Sequence, residues 1–204
     1  YKIGRNVTFN YNSMNGDVAF LIMNEKTTKE LGGVITIDHY VKTKEKLVSD
    51  IKKLSSQGGG AKIVLGEIGV PIPDIHGNMS AIDQAKWMQD TLAELAKIPE
   101  VEAINYWVHI GGSTQLWDNK LNPRPIVEVL KNFYSPKQIT GYVRDELGRP
   151  LKDATITNEY ESVITKSNGY FSIPYVSYLK SKISTDKVEF GPDSLELISY
   201  DGEA

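Results

Sequence analysis

Apolar residues in the first 135 positions occur in two spacings, as short continuous runs and as longer amphipathic stretches. The short runs have the length and composition of buried strands and lie at 2–9, 34–37, 63–65 and 103–108. The longer stretches favour helices and lie at 17–31, 44–54, 80–98 and 125–134. Because parallel strands need helical crossovers, this repeated strand–helix order predicts an α/β fold.

Glycine and serine mark where several of these helices begin and end. Gly32-Gly33 and Gly58-Gly59-Gly60 each follow a predicted helix, and glycine is common just past a helix end. Ser80 with Asp83 three residues later predicts a helix start, because each residue can cap the other's backbone.

The spacing changes after Ser135-Pro136. Short runs of alternating residues predict antiparallel strands at 139–143, 154–157, 163–165 and 170–173. Asn168-Gly169 is typical of a hairpin turn between two of them. We therefore predict two domains, an α/β domain at 1–135 and an all-β sandwich at 138–204 that is incompletely matched at its end.

Composition excludes several kinds of site. The 204 residues are 40% hydrophobic and 24% charged, with a formal net charge of -3 that argues against nucleic acid as a partner. The chain has no cysteine, which excludes disulfides, thiolate zinc sites and cysteine nucleophiles. Three histidines make a histidine-rich metal site unfavourable, so we expect no metal and no cofactor. No apolar run approaches the roughly 20 residues of a membrane span.

Three successive predicted strands end in polar or aromatic residues, where chemistry gathers in parallel β/α folds. These ends are Asp38-His39-Tyr40, then Glu67 in the stretch Ile63–Pro71, then Asn105-Tyr106-Trp107. A carboxylate can attack an anomeric carbon, a tyrosine can hold that carboxylate ionised, and a tryptophan face can stack on a sugar ring. The pattern favours a carbohydrate pocket.

These residues resemble a known family. Gly66-Glu67-Ile68-Gly69 and Asn105-Tyr106-Trp107 resemble the seventh and eighth strands of the retaining β-glycosidase barrels, glycoside hydrolase clan A, and Ile37-Asp38-His39-Tyr40 resembles their sixth. Leu121-Asn122-Pro123-Arg124-Pro125 and the helix after it resemble the close of such a barrel. The resemblance covers residues 1–135 and implies the second half of a TIM-type barrel.

The resemblance assigns roles to individual residues. It implies that Glu67 is the nucleophile, that Tyr40 supports it and that Trp107 is a sugar platform. It implies a substrate contact or a supporting role for His39. From their places at the third strand end and in the loop after it, we also expect Asn105 and Trp117 to contact the substrate. Loop residues Gln115, Asp118, Asp74 and His76 are weaker pocket candidates. For Glu67 the alternative is a structural acid that caps a helix or pairs with a lysine.

The sequence departs from the family in its acid/base. The clan carries that second carboxylate in an Asn-Glu pair on the fourth strand, which would precede residue 1, and a complete barrel takes about 250 residues. Asn24-Glu25 is an Asn-Glu pair, but too few residues lie between it and Val34 for the elements that follow a fourth strand. We therefore interpret Glu25 as a helix residue. We therefore expect the missing barrel half to come from the same gene product or from another chain.

The C-terminal part resembles a second family. Ile139–Ala154 and Ser167-Asn168-Gly169-Tyr170-Phe171-Ser172-Ile173 resemble the carboxypeptidase-regulatory-like domain, a small immunoglobulin-like or transthyretin-like β-sandwich. Such domains occur mainly outside the cytoplasm, which implies an extracellular or cell-surface protein.

Two functions from different classes fit these features. We favour part of an extracellular retaining glycoside hydrolase that acts on β-linked glycans. The alternative is a catalytically inactive surface or filament protein that keeps the scaffold for carbohydrate binding or self-assembly.

Overall fold

A computed structural model describes residues 14–176, 181–187 and 193–197. Its backbone divides into two compact units, Tyr1–Val127 and Glu128–Ala204, so the division falls inside the last helix of the α/β part. The predicted strand at 2–9 lies outside the described residues.

The first unit contains a parallel four-stranded sheet and helices between its strands. The strands run in the order β1 (Met14–Asn15), β2 (Val34–Asp38), β3 (Lys62–Ile68) and β4 (Val101–Tyr106). The helices are α1 (Gly16–Ile22), α2 (Glu25–Glu30), α3 (Lys44–Gln57), α4 (Pro73–His76), α5 (Ala81–Leu95) and α6 (Ile126–Tyr134), which extends across the division. The predicted strands at 34–37, 63–65 and 103–108 and the parallel order are confirmed.

The core lies between the sheet and its helices. Apolar residues three or four positions apart give α3 one buried face, made of Leu47, Ile51 and Leu54. They belong to one cluster with the alternating strand residues Ile35, Ile37, Ile63 and Leu65, all fully buried. This cluster fixes which side of each strand faces the helices, and therefore which side is left for other groups.

Two features of the first unit differ from the prediction. The helix predicted at 17–31 is interrupted at Met23-Asn24, because the Asn24 side chain accepts the Thr27 N–H at 2.9 Å and starts α2. The sequence also gave no sign of β1, whose two residues pair with Ile37 and Asp38. A strand of two residues is too short to show a periodicity.

The predicted cap of α5 is present at Ser80. The Ser80 hydroxyl oxygen accepts the Asp83 N–H at 3.1 Å and donates to the Asp83 carboxylate at 2.6 Å. The first bond satisfies one free N–H group at the start of the helix, and the second orients the Ser80 hydroxyl.

The second unit contains two antiparallel sheets. One pairs β5 (Lys137–Tyr142) with β8 (Tyr170–Tyr175), and the other has the order β10 (Asp193–Leu197), β9 (Ser181–Asp186), β6 (Thr155–Thr157), β7 (Ser162–Ile164). Buried Ile156, Ile173 and Ile183 join the two sheets in one core. The immunoglobulin-like assignment stays a prediction.

The turn at Asn168-Gly169 forms, with Gly169 at φ 79°, but it does not make a hairpin. The strands on either side of it, β7 and β8, belong to different sheets. The prediction of a hairpin there was wrong, because a turn motif specifies local backbone geometry and not which strands pair.

Candidate functional site

Strand β3 carries one residue more than its neighbours at the point where Glu67 lies. Against β2, Leu65 pairs with Ile37 and Glu67 with Asp38, so Gly66 is skipped. The register with β4 shifts within the same stretch, between Leu65 and Ile68. The extra residue is a β-bulge, a feature that changes the direction in which the following side chains point.

The bulge changes the side of the sheet on which Glu67 lies. Ile63 and Leu65 face the helices, and strict alternation would put Glu67 there as well. Instead Ile68 joins that core, fully enclosed at 1% exposure, and the Glu67 side chain is only partly buried. A carboxylate in that core would be strongly disfavoured, so the bulge is what makes Glu67 available.

Tyr40 contacts Glu67. It lies just beyond β2, and its hydroxyl donates to the Glu67 Oε2 at 3.3 Å. Burial, followed by the negative charge of Glu67, raises the pKa of Tyr40 above its ordinary value. The hydroxyl therefore keeps its proton at neutral pH and acts as a donor to the carboxylate. The structure brings together the two residues expected to form the centre of the site.

His39 belongs to the same strand end, but its ring points away from the Glu67 carboxylate. Its backbone N–H donates to the Glu67 carbonyl at 2.9 Å, while its Nε2 lies 2.8 Å from the Asp50 Oδ2 on α3. The ring is 8% exposed. A direct contact between His39 and a sugar stays a prediction; what the structure shows is a link from the helix to Glu67.

Asn105 and Trp107 extend the site along the third strand end. The Asn105 Nδ2 donates to the Gly66 carbonyl at 3.0 Å, next to Glu67. The Trp107 N–H donates to the Ile68 carbonyl at 2.8 Å, and 49% of the residue is exposed. Its peptide bond to Val108 is cis. An exposed indole at this strand end can serve as a stacking surface for a sugar ring.

Gly69 allows the β3 loop to approach that tryptophan. A Cβ built at Gly69 would lie 2.8 Å from the Trp107 carbonyl oxygen and 3.0 Å from the Thr114 side chain. No side chain fits at such a distance, so the second glycine of the Gly-Glu-Ile-Gly stretch is needed for close packing.

The loop after β4 is held against the strand end by Thr114 and Tyr106. The Thr114 hydroxyl donates to the Trp107 carbonyl at 2.5 Å, and the Tyr106 hydroxyl donates to the Thr114 carbonyl at 2.6 Å. Burial raises the pKa of Tyr106, so it too stays protonated. Thr114 occurs in no motif, and Tyr106 was noted only as part of Asn105-Tyr106-Trp107, without a role of its own.

The other loop candidates serve the loop itself. The Trp117 ring stacks on His109 with centroids 4.3 Å apart, and the Gln115 Oε1 accepts the Gly111 N–H at 3.0 Å. Asp118 accepts the Asn122 N–H, which lowers the pKa of its carboxyl. These contacts order the loop, and the structure shows no contact from them to Glu67.

A cavity of about 490 Å³ lies beside Tyr40. It is bordered by the ends of β1 and β2 and by α4, including Asp38, His39 and His76. The His76 Nδ1 accepts the Ile72 N–H at 2.9 Å, so the neutral ring carries its proton on Nε2. Asp74 is the second residue of α4.

Glu25 lies at the other edge of the sheet. It is the first residue of α2, as expected, and it borders a cavity of about 420 Å³ formed by the glycines that precede β2 and β3. Its side chain covers Gly59, where an added Cβ would lie 2.6 Å from the Glu25 Cγ. Since Glu67 is at the carboxyl ends of the strands, Glu25 cannot act with it.

Within residues 14–176, 181–187 and 193–197, no three His, Asp or Glu side chains are grouped to hold a metal ion. Within the same ranges, every helix is too short or too polar to cross a bilayer.

No protein-family model matches the chain, and no curated protein is significantly similar to it. Among solved structures it is similar to Bacteroides uniformis β-glucuronidase 2, at 10% identity and a TM-score of 0.42, over 84% of this chain and 27% of that one. It is also similar to a Cellulomonas fimi endo-β-1,4-mannanase of glycoside hydrolase family 26, at 10% identity and a TM-score of 0.37, over 81% and 47%.

These structural neighbours are glycoside hydrolases, and this chain spans less than half the length of either. With TM-scores below 0.5, the similarities establish neither a family nor an activity for this chain.

Proposed function

We propose that the α/β unit is part of a retaining glycoside hydrolase that acts on β-linked glycans, with Glu67 as its nucleophile. The observation that carries the proposal is the hydrogen bond from Tyr40 to Glu67 at the carboxyl edge of the sheet. The bulge that keeps Glu67 out of the core and the exposed Trp107 just beyond the neighbouring strand support the same function.

The geometry suits the first chemical step of a retaining enzyme. The Glu67 carboxylate attacks the anomeric carbon as the bond from that carbon to the leaving oxygen breaks, and a glycosyl ester forms. Tyr40, which donates to the carboxylate and stays protonated, favours its charged form and holds it in one orientation. Water then cleaves the ester, so the product regains the β configuration.

The leaving oxygen needs a proton, and we propose that a carboxylic acid outside this chain supplies it. The family resemblance puts that acid on an earlier strand of the barrel. In a retaining site the two carboxyl groups lie about 5–5.5 Å apart. The donor must therefore approach Glu67 from the side of the sheet that does not face the helices.

The test uses Glu67→Ala in the full-length protein with a 2,4-dinitrophenyl β-glycoside, whose leaving group needs no protonation. We expect hydrolysis to fall by roughly 10³-fold or more, as when other covalent nucleophiles are removed. Added azide should restore dinitrophenolate release by attacking the anomeric carbon itself, giving an α-glycosyl azide. Wild-type hydrolysis by the variant would overturn the proposal.

The alternative, a structural protein with a retained scaffold, has a different signature. The wild-type full-length protein would then bind glycans without turning over any aryl β-glycoside, and Glu67→Ala would leave that binding unchanged. Screening binding and hydrolysis on the same set of glycans separates the two functions.

We further propose that the C-terminal unit is a non-catalytic accessory domain of carboxypeptidase-regulatory-like type, and that the protein works outside the cytoplasm. The support is the residue pattern together with a small core shared by two antiparallel sheets. Deleting residues after Ser135 from the full-length protein should leave kcat on a soluble aryl glycoside unchanged. A loss of kcat in a folded truncation would contradict the accessory role.

A further inference from the structure

His39 connects three parts of the first unit. Its backbone N–H donates to the Glu67 carbonyl at 2.9 Å, and the residue after it, Tyr40, donates to the Glu67 carboxylate. Its ring reaches in the opposite direction, to the Asp50 Oδ2 at 2.8 Å. The position of His39 therefore influences two contacts that the segment just beyond β2 makes with Glu67.

Asp50 is buried and is held in place by a lysine. It lies on the inner face of α3 with 4% exposure, and the Lys46 Nζ bridges its two oxygens at 2.5 and 2.6 Å. Charge-assisted bonds of this length are the strong ones among protein hydrogen bonds. The Lys46 side chain is 61% exposed, so the pair balances the Asp50 charge without burying a second side chain.

The first helix closes the other side of the ring. A Cβ at Gly16 would lie 2.2 Å from the His39 Nδ1, so α1 presses directly on the imidazole. With Asp50 in front and Gly16 behind, the ring has one position. A histidine that only filled space would not need a buried carboxylate at its Nε2.

We propose that Asp50 is a positioning residue of the site and acts through His39 on Tyr40 and Glu67. This inference rests on the proposed function, because positioning matters only if Glu67 reacts. Asp50 is four steps from the substrate along the path Asp50, His39, Tyr40, Glu67, and it touches no reacting atom. A displacement of about 1 Å at a reacting group can cost up to 10²-fold in rate, so a remote support has a measurable effect.

The kinetic test compares Asp50→Asn with Asp90→Asn in the full-length protein. Asp90 is a matched control, because it forms the same i,i+4 pair with a lysine, at 3.1 Å to Lys86, on the surface of α5. We expect Asp50→Asn to lower kcat about tenfold with KM within about twofold, and Asp90→Asn to change neither. An unchanged kcat in folded Asp50→Asn would overturn the proposal.

A second variant guards against misfolding. Lys46→Gln removes only the exposed partner of Asp50. We expect kcat to fall about threefold, because the Asp50 carboxylate then loses its bonds to the lysine and keeps its contact with His39. Equal kcat in Lys46→Gln and wild type, with Asp50→Asn unfolded, would also overturn the proposal.

Hydrogen exchange tests the link without any activity. The His39 amide is protected by the Glu67 carbonyl, so we expect its exchange to be at least fivefold faster in Asp50→Asn than in Asp90→Asn. Equal exchange would overturn the positioning role even in an active enzyme. If the wild type hydrolyses no glycoside but exchange responds as expected, the proposed function fails and the structural link stands.

Discussion

The carboxyl edge and the amino edge of the parallel sheet contain similar residues. Each has a glutamate close to glycines, Glu67 at the first and Glu25 at the second. Each edge also borders a cavity: Glu25 lines one of about 420 Å³, and Asp38, His39 and Tyr40 line one of about 490 Å³, to which Glu67 does not contribute. The residue types alone are compatible with a catalytic role at either edge.

The contacts separate the two edges. At the amino edge the glycine N–H groups are used to end helix α3; those of Gly58, Gly59 and Gly60 donate to carbonyls of Leu54, Ser56 and Ser55. Glu25 lies in the first turn of α2, where a negative charge suits the helix dipole. At the carboxyl edge, a protonated tyrosine donates to Glu67. The hydrogen-bond partner of a carboxylate determines its chemical role more than the residues next to it in sequence do.

The strongest way to break this comparison is to neutralise each glutamate in turn. We expect Glu67→Gln in the full-length protein to lower kcat/KM for β-glycosides by roughly 10³-fold or more, because the proposed nucleophile is lost. Glu25→Gln should stay within about twofold of wild type, since it changes one surface helix turn. Comparable losses in both variants would show that the two edges do not differ as described.

Removing the partner of Glu67 tests the proposed role of the carboxyl edge. Tyr40→Phe deletes one hydrogen bond to a carboxylate, worth about 1.5–3 kcal/mol, so we expect kcat/KM to fall by about 10- to 100-fold. Tyr142→Phe, at an exposed tyrosine of the second unit, is the control and should not change kcat/KM. Steady-state kinetics on one aryl glycoside measure both, and an unaltered Tyr40→Phe enzyme would refute the role.

Tyr40 also predicts a pH dependence of stability. Burial and then the Glu67 charge raise its pKa, so the folded protein holds the phenolic proton more tightly than the unfolded chain does. Its stabilising effect is complete below about pH 10, where unfolded tyrosine is protonated, and declines as the pH rises further. Denaturant unfolding of Tyr40→Phe should therefore show a shallower decline above that pH than wild type.

Glycines at the two edges should differ in how they tolerate alanine. Gly16→Ala puts a Cβ 2.2 Å from the buried His39 ring, and overpacking of this kind costs about 1–3 kcal/mol. Gly60→Ala meets no atom within 4 Å but is strained at φ 84°, which costs about 1–2 kcal/mol. We expect Gly16→Ala also to lower kcat and Gly60→Ala not to. Chemical denaturation measures the loss of stability in each variant, and steady-state kinetics measure kcat. A lower kcat in Gly60→Ala than in Gly16→Ala would contradict the expectation.

The smallest effect concerns the residue beside Glu25. Asn24→Ala removes the cap of α2 and should lower the free energy of unfolding by about 1 kcal/mol without changing kcat. A change in kcat would indicate that Asn24 serves the site, as an Asn-Glu catalytic pair would require.

Much of the fold followed from residues whose effects are local. Leu47, Ile51 and Leu54 share a helix face by spacing alone, and the Ser80–Asp83 cap needs only four residues of chain. The position of Glu67 at the end of a predicted strand was enough to place it at the carboxyl edge, because parallel strands all end at the same side of a sheet.

The missed features depend on how distant segments meet. The bulge at Gly66 appears only when β3 is aligned with β2 and β4, and no single-strand pattern specifies that register. The contact of His39 with Asp50 joins a strand end to a helix and needs the packing of both. In each case local residue preferences were compatible with several arrangements, and the shared core selected one.

The most direct test of the account is to locate the covalent intermediate. The full-length protein would be treated with a β-configured, mechanism-based aziridine or 2-fluoro glycoside, digested, and sequenced by mass spectrometry. The account predicts one glycosyl ester, on Glu67, that is absent in Glu67→Gln and does not form on Glu25. An ester on another carboxylate, or hydrolysis with no ester trapped at Glu67, would contradict it.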